Sequence, residues 1–391
     1  MKIYEIGTGY TSIPAKMGAA TEIVVEELTK AFMSIGQEVT LVDIADSNRL
    51  PNKLPIVEVQ MPKLFSNTDV QLGIMHKLKR VVYSIALARK LNQIIKKSNE
   101  TVLIHFHNQY NMYFFLKFSN RKLRKKVKIA YTVHSYIWPG EWDDIKDIIR
   151  KRYFQEVYCV QHADYVLVLN SKTGEHFTRH LGVDKNKIWK VANGVNTDTY
   201  SVLSDNEIAD FKSTIGLSNK NIIFQVGSVC ERKNQLGAVK ILSNYLREHK
   251  DAVYMYAGGI IDDEYKKSID SFAKKSHISD QVVYAGELCP GKLLNKYYNA
   301  ASFTIFPSKI ESFGLVIIES LSAGTPVLLK EKPLFELSSG YEVYSNQDEF
   351  IEFIEKNIAG QNRGEKNRPE IIEKYSWLAV AKDHLNIFEK E

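Results

Sequence analysis

Short apolar runs alternate along the chain with longer segments whose apolar residues recur at helical spacing. Lys2–Gly7 and Val39–Asp43 predict strands, and Ala20–Ile35 between them predicts a helix. Gly36 stands where a glycine in the left-handed conformation would end that helix. The order strand, helix, strand is one βαβ unit.

The same alternation continues to about residue 200, where we read Leu50–Asp69 as a loop. Further strands are predicted at Val102–Phe106, Val127–His134 and Tyr165–Leu169, and further helices at Val70–Lys97, Tyr110–Ser119 and Ile145–His162. Strands that are apolar throughout are typical of parallel sheets covered by helices on both faces.

A second series follows the turn-rich segment 193–196. It contains strands at Ile222–Val226, Val253–Ala257, Val282–Ala285, Phe303–Phe306 and Pro326–Leu329, and helices at Gln235–His249 and Leu293–Asn299. The sequence therefore predicts an α/β protein of two Rossmann-like, doubly wound domains, 1–200 and 201–375, facing each other across a cleft. We expect a terminal helix, about 376–391, to pack back on the first domain.

Composition excludes several classes of protein. The 391 residues are 44% hydrophobic and 25% charged, as in ordinary globular chains. The net charge of +6 is too small over this length to indicate a dedicated nucleic-acid binder. Three scattered cysteines without a CxxC pair argue against disulfides and zinc, and no apolar run is long enough to span a membrane. We expect a cytoplasmic protein that meets membranes, if at all, at the inner surface.

In open α/β sheets, ligands bind beyond the carboxyl ends of the strands, where helix N-termini attract anions. The segment 306–319 fits such a place, because a strand leads through a turn into a helix. Its glutamates, Glu311 and Glu319, would lie on the order of 12 Å apart along a helix, too far for a hydrolytic pair. The segment can instead hold a diphosphate between two carboxylates. Two solvated glutamates on an ordinary helix are the alternative.

These residues carry a resemblance to a known family. Pro307-Ser308, Glu311-Ser312-Phe313-Gly314, Glu319, Ala323-Gly324 and Pro326-Val327 resemble the E-x7-E signature of the retaining glycosyltransferases of family 4, which have the GT-B fold. Other matches follow in the family's order: Gly18, Tyr131-Thr132-Val133-His134, Asn193-Gly194-Val195, Val226-Gly227 with Lys233, Ala257-Gly258-Gly259, Gly286 and Tyr375-Ser376-Trp377.

The resemblance implies a nucleotide-sugar donor bound mainly by the C-terminal domain and an acceptor bound mainly by the N-terminal one. It implies that Glu319 accepts hydrogen bonds from the ribose and that Glu311 contacts the transferred sugar. His134 would also contact that sugar. The remaining residues expected to bind the donor are Ser312, Phe313, Gly314, Leu315, Gly18, Gly227, Ser228, Gly258, Glu287 and Leu288.

A leaving diphosphate needs cations, because its charge grows as the glycosidic bond breaks. Lys233 fits the family's lysine, whereas Ser228 occupies the position where the family usually has arginine. We expect Arg232, in the same loop, to replace that arginine; the alternative is an Arg232 that is merely exposed. A second departure is Ala19, which stands where the family has another glycine after Gly18.

Neither a metal nor a cofactor is expected. His105 and His107 would point the same way in a strand, but we find no third ligand at a recognisable spacing, so a packing or cleft-lining role is favoured. Asp143-Asp144 and Asp262-Asp263 are expected at helix starts, where acidic residues favour the helix dipole.

The basic run Arg121–Lys128 follows several aromatic residues and could contact anionic lipid, or it could be an ordinary solvated helix end.

The function predicted is transfer of a sugar with retention, without a metal, from a nucleotide diphosphate to a hydroxyl of a glycan, lipid-linked or small acceptor. A nucleotide-sugar epimerase of the same fold and a non-catalytic partner subunit are the alternatives. The sequence does not indicate the base, the sugar or the acceptor.

Overall fold

The chain folds into two α/β units, which are described separately. A computed structural model describes residues 1–15, 20–65, 74–134, 141–308, 313–333, 335–360 and 362–390. The first unit comprises Met1–Gly194 and Trp377–Glu391, and the second comprises Val195–Ser376.

The first unit is built on a parallel sheet of seven strands in the order β3-β2-β1-β4-β5-β6-β7. The strands are β1 Lys2–Ile6, β2 Val39–Ile44, β3 Ile56–Val59, β4 Val102–Phe106, β5 Val127–Val133, β6 Tyr165–Val168 and β7 Ile188–Lys190. The order reverses between β1 and β4, so their carboxyl ends form the switch point at which such sheets bind ligands.

Helices cover both faces of this sheet. They are α1 Ala20–Ser34, α2 Ile74–Lys97, α3 Gln109–Phe118, α4 Arg121–Arg124, α5 Trp142–Arg152, α6 Phe154–His162, α7 Ser171–Leu181 and, from the chain's end, α15 Trp377–Phe388. Helix α15 packs against α1, and its buried Trp377, Val380 and Ala381 help to close the unit.

The second unit repeats the plan with a six-stranded parallel sheet in the order β10-β9-β8-β11-β12-β13. Its strands are β8 Asn221–Val226, β9 Ala252–Ala257, β10 Val282–Tyr284, β11 Phe303–Phe306, β12 Val327–Leu329 and β13 Tyr341–Val343. Its helices are α8 Asp205–Thr214, α9 Gln235–Glu248, α10 Asp263–Lys275, α11 Lys292–Ala300, α12 Leu315–Ser322, α13 Gln347–Asn357 and α14 Arg368–Tyr375. The predicted fold class, two Rossmann-like parallel-sheet domains, is confirmed.

Two local predictions were wrong. The segment read as a loop, 50–69, contains β3 and a 3-10 turn at Lys63–Phe65. The single helix predicted over 145–162 is two helices, because the chain leaves helical geometry at Tyr153 (φ −113°, ψ 19°). By contrast, the prediction that Asp262-Asp263 lie at a helix start is confirmed. Asp262 is the N-cap of α10, and its side chain accepts a hydrogen bond from the amide of Tyr265 at 2.9 Å. In the part of the chain that the structure describes, no helix is both long and apolar enough to cross a membrane.

Candidate functional site

Three glycines lie side by side at the carboxyl edge of the second sheet. Gly227 follows β8, Gly258 follows β9, and Gly286 lies two residues after β10. The amide of Gly258 donates to the carbonyl of Gly286 at 2.9 Å. A Cβ atom at Gly258 would lie 2.2 Å from the carbonyl oxygen of Gly227, and its φ of 144° also requires glycine. These glycines leave backbone free of side chains where a ligand would approach.

The loop after β8 places Lys233 beside this edge. Lys233 is buried, and its alkyl chain runs along Gly227, where an added Cβ would lie 3.1 Å from Cε of the lysine. Its carbonyl accepts a hydrogen bond from Nε2 of Gln225 at 2.8 Å, and Asn234 turns the chain with a left-handed φ of 58°. Arg232, one residue earlier, is exposed.

The same loop is tied to the segment that follows β11. Nδ2 of Asn234 donates to the carbonyl of Pro307 at 3.2 Å. The next residue, Ser308, is buried, and its hydroxyl has no hydrogen-bond partner among the described residues. A buried hydroxyl normally has a hydrogen-bond partner, and either a bound molecule or the neighbouring residues 309–312, outside the described part of the chain, can supply it here. Apart from its place in the motif, nothing in the sequence pointed to Ser308.

Glu311 and Ser312 lie outside the described residues, so their predicted roles stay predictions. The described segment resumes at Phe313, which is buried and stacks on Phe335 with ring centroids 4.7 Å apart. Gly314 follows with a left-handed φ of 92°, and Leu315 begins α12. Helix α12 therefore starts directly after a tight turn, with its free amides at the carboxyl edge of the sheet.

Glu319 is held on α12 by two tyrosine hydroxyls. Tyr298 of α11 donates to Oε2 of Glu319 at 2.9 Å, and Tyr200 donates a second hydrogen bond to the carboxyl. The Tyr200 hydroxyl accepts in turn from the amide of Gly291 at 3.2 Å. Burial raises the pKa of Glu319 to about 7, although the two tyrosines lower it. The sequence did not single out either tyrosine, because their contact with Glu319 joins distant parts of the chain.

Glu287 and Leu288 follow Gly286 at the same edge, as the sequence predicted them to. Glu287 is exposed, and a Cβ atom on Gly259 would lie 3.1 Å from its carboxylate. Leu288 is half-buried. Their contact with a nucleotide base stays a prediction.

In the first unit, His134 follows β5 and belongs to a buried cluster. His105 on β4 and His107, the residue that follows β4, each form a hydrogen bond to one oxygen of Glu5 on β1. Nδ1 of His105 lies at 2.8 Å and Nε2 of His107 at 2.7 Å. Nδ1 of His107 lies 2.9 Å from Nε2 of His134. Nε2 of His105 lies 2.7 Å from the hydroxyl of Thr132. The carboxylate thus organises two branches of hydrogen bonds.

Burial and the contacts among its members together determine which residues of this cluster are charged. Burial by itself would raise the pKa of Glu5, but the charges and hydrogen bonds of His105 and His107 outweigh it and lower the pKa to about 2. Burial and the neighbouring His105 lower the pKa of His107 to about 4. Burial, together with His107, lowers the pKa of His134 well below its ordinary value. Glu5 is therefore ionised, and His107 and His134 are neutral, near pH 7.

The sequence interpretation missed Glu5, which supplies the third group that the histidine pair lacked. The ligand atoms of Glu5, His105 and His107 lie within 4.8 Å of one another, a set that could surround a metal ion. However, the nitrogens that would bind a metal already form hydrogen bonds of 2.7 and 2.8 Å to the carboxylate. A metal would have to displace both protons, and the cluster is satisfied as a hydrogen-bonded chain.

A second polar group lies after β1 and β4 in the same unit. Nδ2 of Asn108 donates to the hydroxyl of Tyr10 at 2.8 Å. The guanidinium of Arg80 lies 4.4 Å from the ring centre of Tyr10 and 5.4 Å from that of Tyr110. Nζ of the buried Lys79 donates to the carbonyl of Tyr10 at 3.2 Å. Gly18, which was predicted to bind the donor, lies outside the described residues, so its role stays a prediction.

The basic run 121–128 lies at the amino end of β5, away from the carboxyl edge of the first sheet, because it leads into that strand and includes its first two residues. Arg124 is 6.0 Å from the ring centre of Phe115, and Lys128 donates to the hydroxyl of Tyr165 at 3.2 Å. Lys122, Lys125 and Lys126 are exposed. The run is thus divided between packed cations and cations that face solvent.

Comparisons with known proteins bear on this arrangement. Residues 21–199 match the family model described as Glycosyltransferase Family 4, and residues 207–336 match the one described as Glycosyl transferases group 1. The alpha-galactosylglucosyldiacylglycerol synthase of Streptococcus pneumoniae is 23% identical over 82% of this chain and 86% of its own. The O-antigen chain mannosyltransferase RfbU of Salmonella typhimurium is 22% identical over 86% and 84%.

A solved structure extends the likeness to the whole chain. Alr3699/HepE of Anabaena, in complex with UDP and glucose, superposes with a TM-score of 0.70 at 13% identity and covers 100% of both chains. The chain belongs to the family 4 glycosyltransferases and has the GT-B fold. Its membership confirms the resemblance found in the sequence.

Proposed function

We propose that this glycosyltransferase takes its sugar from a nucleoside diphosphate donor bound at the carboxyl edge of the second unit, and transfers it with retention and without a metal. The observation that carries the proposal is the position of Glu319. This residue lies on α12, at the glycine-lined edge of the sheet, and two tyrosine hydroxyls donate hydrogen bonds to its carboxyl group. An ionised carboxylate accepts hydrogen bonds, as the paired hydroxyls of a ribose require. HepE, a structural neighbour, holds UDP and glucose.

The chemistry assigned to the second unit is stabilisation of the leaving diphosphate. Lys233 places a fixed cation beside Gly227, and the first amides of α12 add partial positive charge. Both act most strongly when the glycosidic bond breaks and negative charge gathers on the phosphate oxygens. With no nucleophile assigned, we propose a front-face path in which the leaving oxygen accepts the proton of the incoming hydroxyl.

The acceptor is proposed to bind to the first unit, near Tyr10, Tyr110 and Arg80. Aromatic rings suit the apolar faces of sugars, and a guanidinium suits an anionic group. By their names, one of the relatives above is a synthase of a glycolipid and the other is an O-antigen chain mannosyltransferase, which supports a glycan or lipid-linked acceptor.

The test is a panel of nucleotide sugars with uridine, guanosine and adenosine diphosphates, in which slow hydrolysis is followed by nucleotide release. A transferase releases nucleotide, and adding the right acceptor accelerates release while forming a product whose anomeric configuration NMR assigns. Retention of configuration supports the proposal. Turnover of a donor to its epimer without acceptor would identify the epimerase alternative, and no nucleotide release from any donor would identify a non-catalytic subunit.

Arg232 is proposed to act in place of the arginine that the family usually has at the position of Ser228. Its exposure leaves the side chain able to reach a bound diphosphate. We expect Arg232→Ala to lower kcat by about 10²-fold, the loss typical of one charge-stabilising group. Exposed Arg247 on α9 is the matched control, and Arg247→Ala should leave kcat unchanged. Adding Ser228→Arg to Arg232→Ala should restore activity; equal rates for Arg232→Ala and the wild type would refute the replacement.

Contact with an anionic membrane is proposed through the exposed lysines of the run 121–128. Phe118, 55% exposed, lies a few residues before them. We expect a variant with alanine at Lys122, Lys125 and Lys126 to bind phosphatidylglycerol vesicles at least tenfold more weakly, since each lysine near the surface contributes attraction. The control carries alanine at the exposed Lys267, Lys274 and Lys275 of α10. Equal co-sedimentation of both variants would show that the run is only a solvated helix end.

A further inference from the structure

The buried cluster of the first unit fixes which nitrogen of His134 carries its proton. A carboxylate has no proton to donate, so Nε2 of His107, 2.7 Å from Glu5, must donate to it. A neutral imidazole has one donor and one acceptor, which makes Nδ1 of His107 an acceptor. Nε2 of His134, 2.9 Å from that Nδ1, must then donate.

The proton on Nε2 also determines the state of Nδ1, the other ring nitrogen of His134. With its proton on Nε2, Nδ1 of His134 carries a bare lone pair, and no described residue forms a hydrogen bond to it. A lone pair accepts hydrogen bonds from hydroxyls and repels phosphate or carboxylate oxygens. The two imidazole rings, 5.2 Å apart with an interplanar angle of 25°, are close to coplanar, as a ring-to-ring N–H···N bond requires.

We propose that Glu5 and His107 are positioning residues that hold His134 as the Nε2–H tautomer, so that its Nδ1 selects a hydroxyl group of the bound sugar. The proposal rests on the proposed function, sugar transfer from a nucleotide donor, and on the expectation from the family resemblance that His134 contacts the donor sugar. It adds the direction of that contact: the sugar hydroxyl donates and His134 accepts. A donor sugar that lacks the hydroxyl, such as the deoxy analogue, is then a poor substrate.

The other branch of the cluster supplies the control. Thr132 forms a hydrogen bond to His105 at 2.7 Å and is buried, but it is not part of the chain from Glu5 through His107 to His134. Thr132→Val therefore removes one buried hydrogen bond from the same cluster and leaves the tautomer of His134 alone. Its loss of stability measures what one buried hydrogen bond of this cluster contributes when the tautomer of His134 is unchanged.

The first measurement is the tautomer itself, read from nitrogen-15 NMR of the imidazoles in the full chain without ligand. The signals of His134 are assigned by their absence from His134→Asn. We expect the Nε2–H form in the wild type and in Thr132→Val, and a mixture of tautomers in Glu5→Gln and His107→Leu. An Nδ1–H form in the wild type, or an unchanged tautomer in both Glu5→Gln and His107→Leu, overturns the proposal.

The second measurement is turnover of the panel donor that the wild type hydrolyses fastest. We expect Glu5→Gln and His107→Leu to lower kcat by about 10- to 100-fold while the dissociation constant of the nucleotide diphosphate stays unchanged, since a hydrogen bond to one tautomer is lost. His107→Asn, whose amide oxygen can accept from Nε2 of His134, should recover part of this loss. In a His134→Ala background, His107→Leu should lower kcat no further; an independent additional loss overturns the relay.

The two measurements separate the relay from the proposed function. The tautomer is observed without any donor, so it decides the relay even if the panel finds no substrate. Conversely, a chain that hydrolyses a nucleotide sugar but shows the Nδ1–H form retains the proposed function and loses the relay. Where a variant fails to fold, melting curves reveal it, and His107→Asn, with the smaller change of polarity, keeps the test decisive.

Discussion

Replacing Lys233 with alanine should lower kcat by about 10²- to 10³-fold, the effect of removing a charge-stabilising group from a transition state. The reason is its fixed position: the lysine backbone is held by Gln225, and its side chain lies along Gly227 at the edge where the diphosphate is proposed to leave. A cation that is already in place stabilises growing charge without reorganisation. Binding of the intact donor should change much less than kcat.

The measurement is steady-state release of nucleotide together with the dissociation constant of the nucleotide diphosphate. Lys240→Ala, which removes an exposed lysine from α9, is the control and should behave as the wild type. Lys233→Arg should retain a fraction of the rate, because the charge remains while its geometry changes. A Lys233→Ala variant with wild-type kcat would show that the diphosphate does not leave from this edge of the sheet.

Replacing Glu319 with alanine should weaken donor binding by about 10²-fold, since two ribose hydroxyls lose a charged acceptor and two tyrosine hydroxyls lose their partner. The pKa of about 7 adds a pH dependence. Below pH 7 the free protein holds a proton on Glu319 that must leave before the carboxylate can accept both hydroxyls. Donor affinity should therefore fall up to tenfold for each pH unit below 7 and level off above it.

Titration calorimetry from pH 5.5 to 8.5 measures this dependence. Glu319→Gln, which keeps the shape and cannot ionise, should bind weakly at every pH with no break near 7. Tyr298→Phe removes one hydrogen bond that favours the ionised carboxylate, so the break should move to higher pH. A wild-type profile that is flat from pH 5.5 to 8.5, or a break that persists in Glu319→Gln, would show that Glu319 does not bind the ribose.

Most of the fold could be predicted because the buried strands are continuous apolar runs. Val102–Phe106 and Phe303–Phe306 were predicted with the bounds that the structure shows. The edge strands β7 and β13, three residues each, were missed because an edge strand buries too little to leave a clear pattern. The break between α5 and α6 at Tyr153 was missed because no glycine or proline marks it.

The candidate site was predictable where its residues follow one another in the chain. Gly227, Gly258 and Glu319 were found because each lies in a short motif after a strand. Glu5 was not, because its partners His105 and His107 lie about a hundred residues away and only the pairing of β1 with β4 brings them together. Tyr200 and Tyr298 escaped for the same reason, since their contact with Glu319 depends on tertiary packing.

The return of the last helix to the first unit has a consequence for dissecting the protein. The second unit is one uninterrupted stretch, 195–376, and its two ends are neighbours, because the amide of Val195 donates to the carbonyl of Tyr375 at 2.7 Å. It is therefore built as an insertion into a host whose final segment includes Trp377. Deleting the whole second unit should therefore leave the first unit folded. A short C-terminal truncation should destabilise the first unit, because it removes α15, which packs against α1.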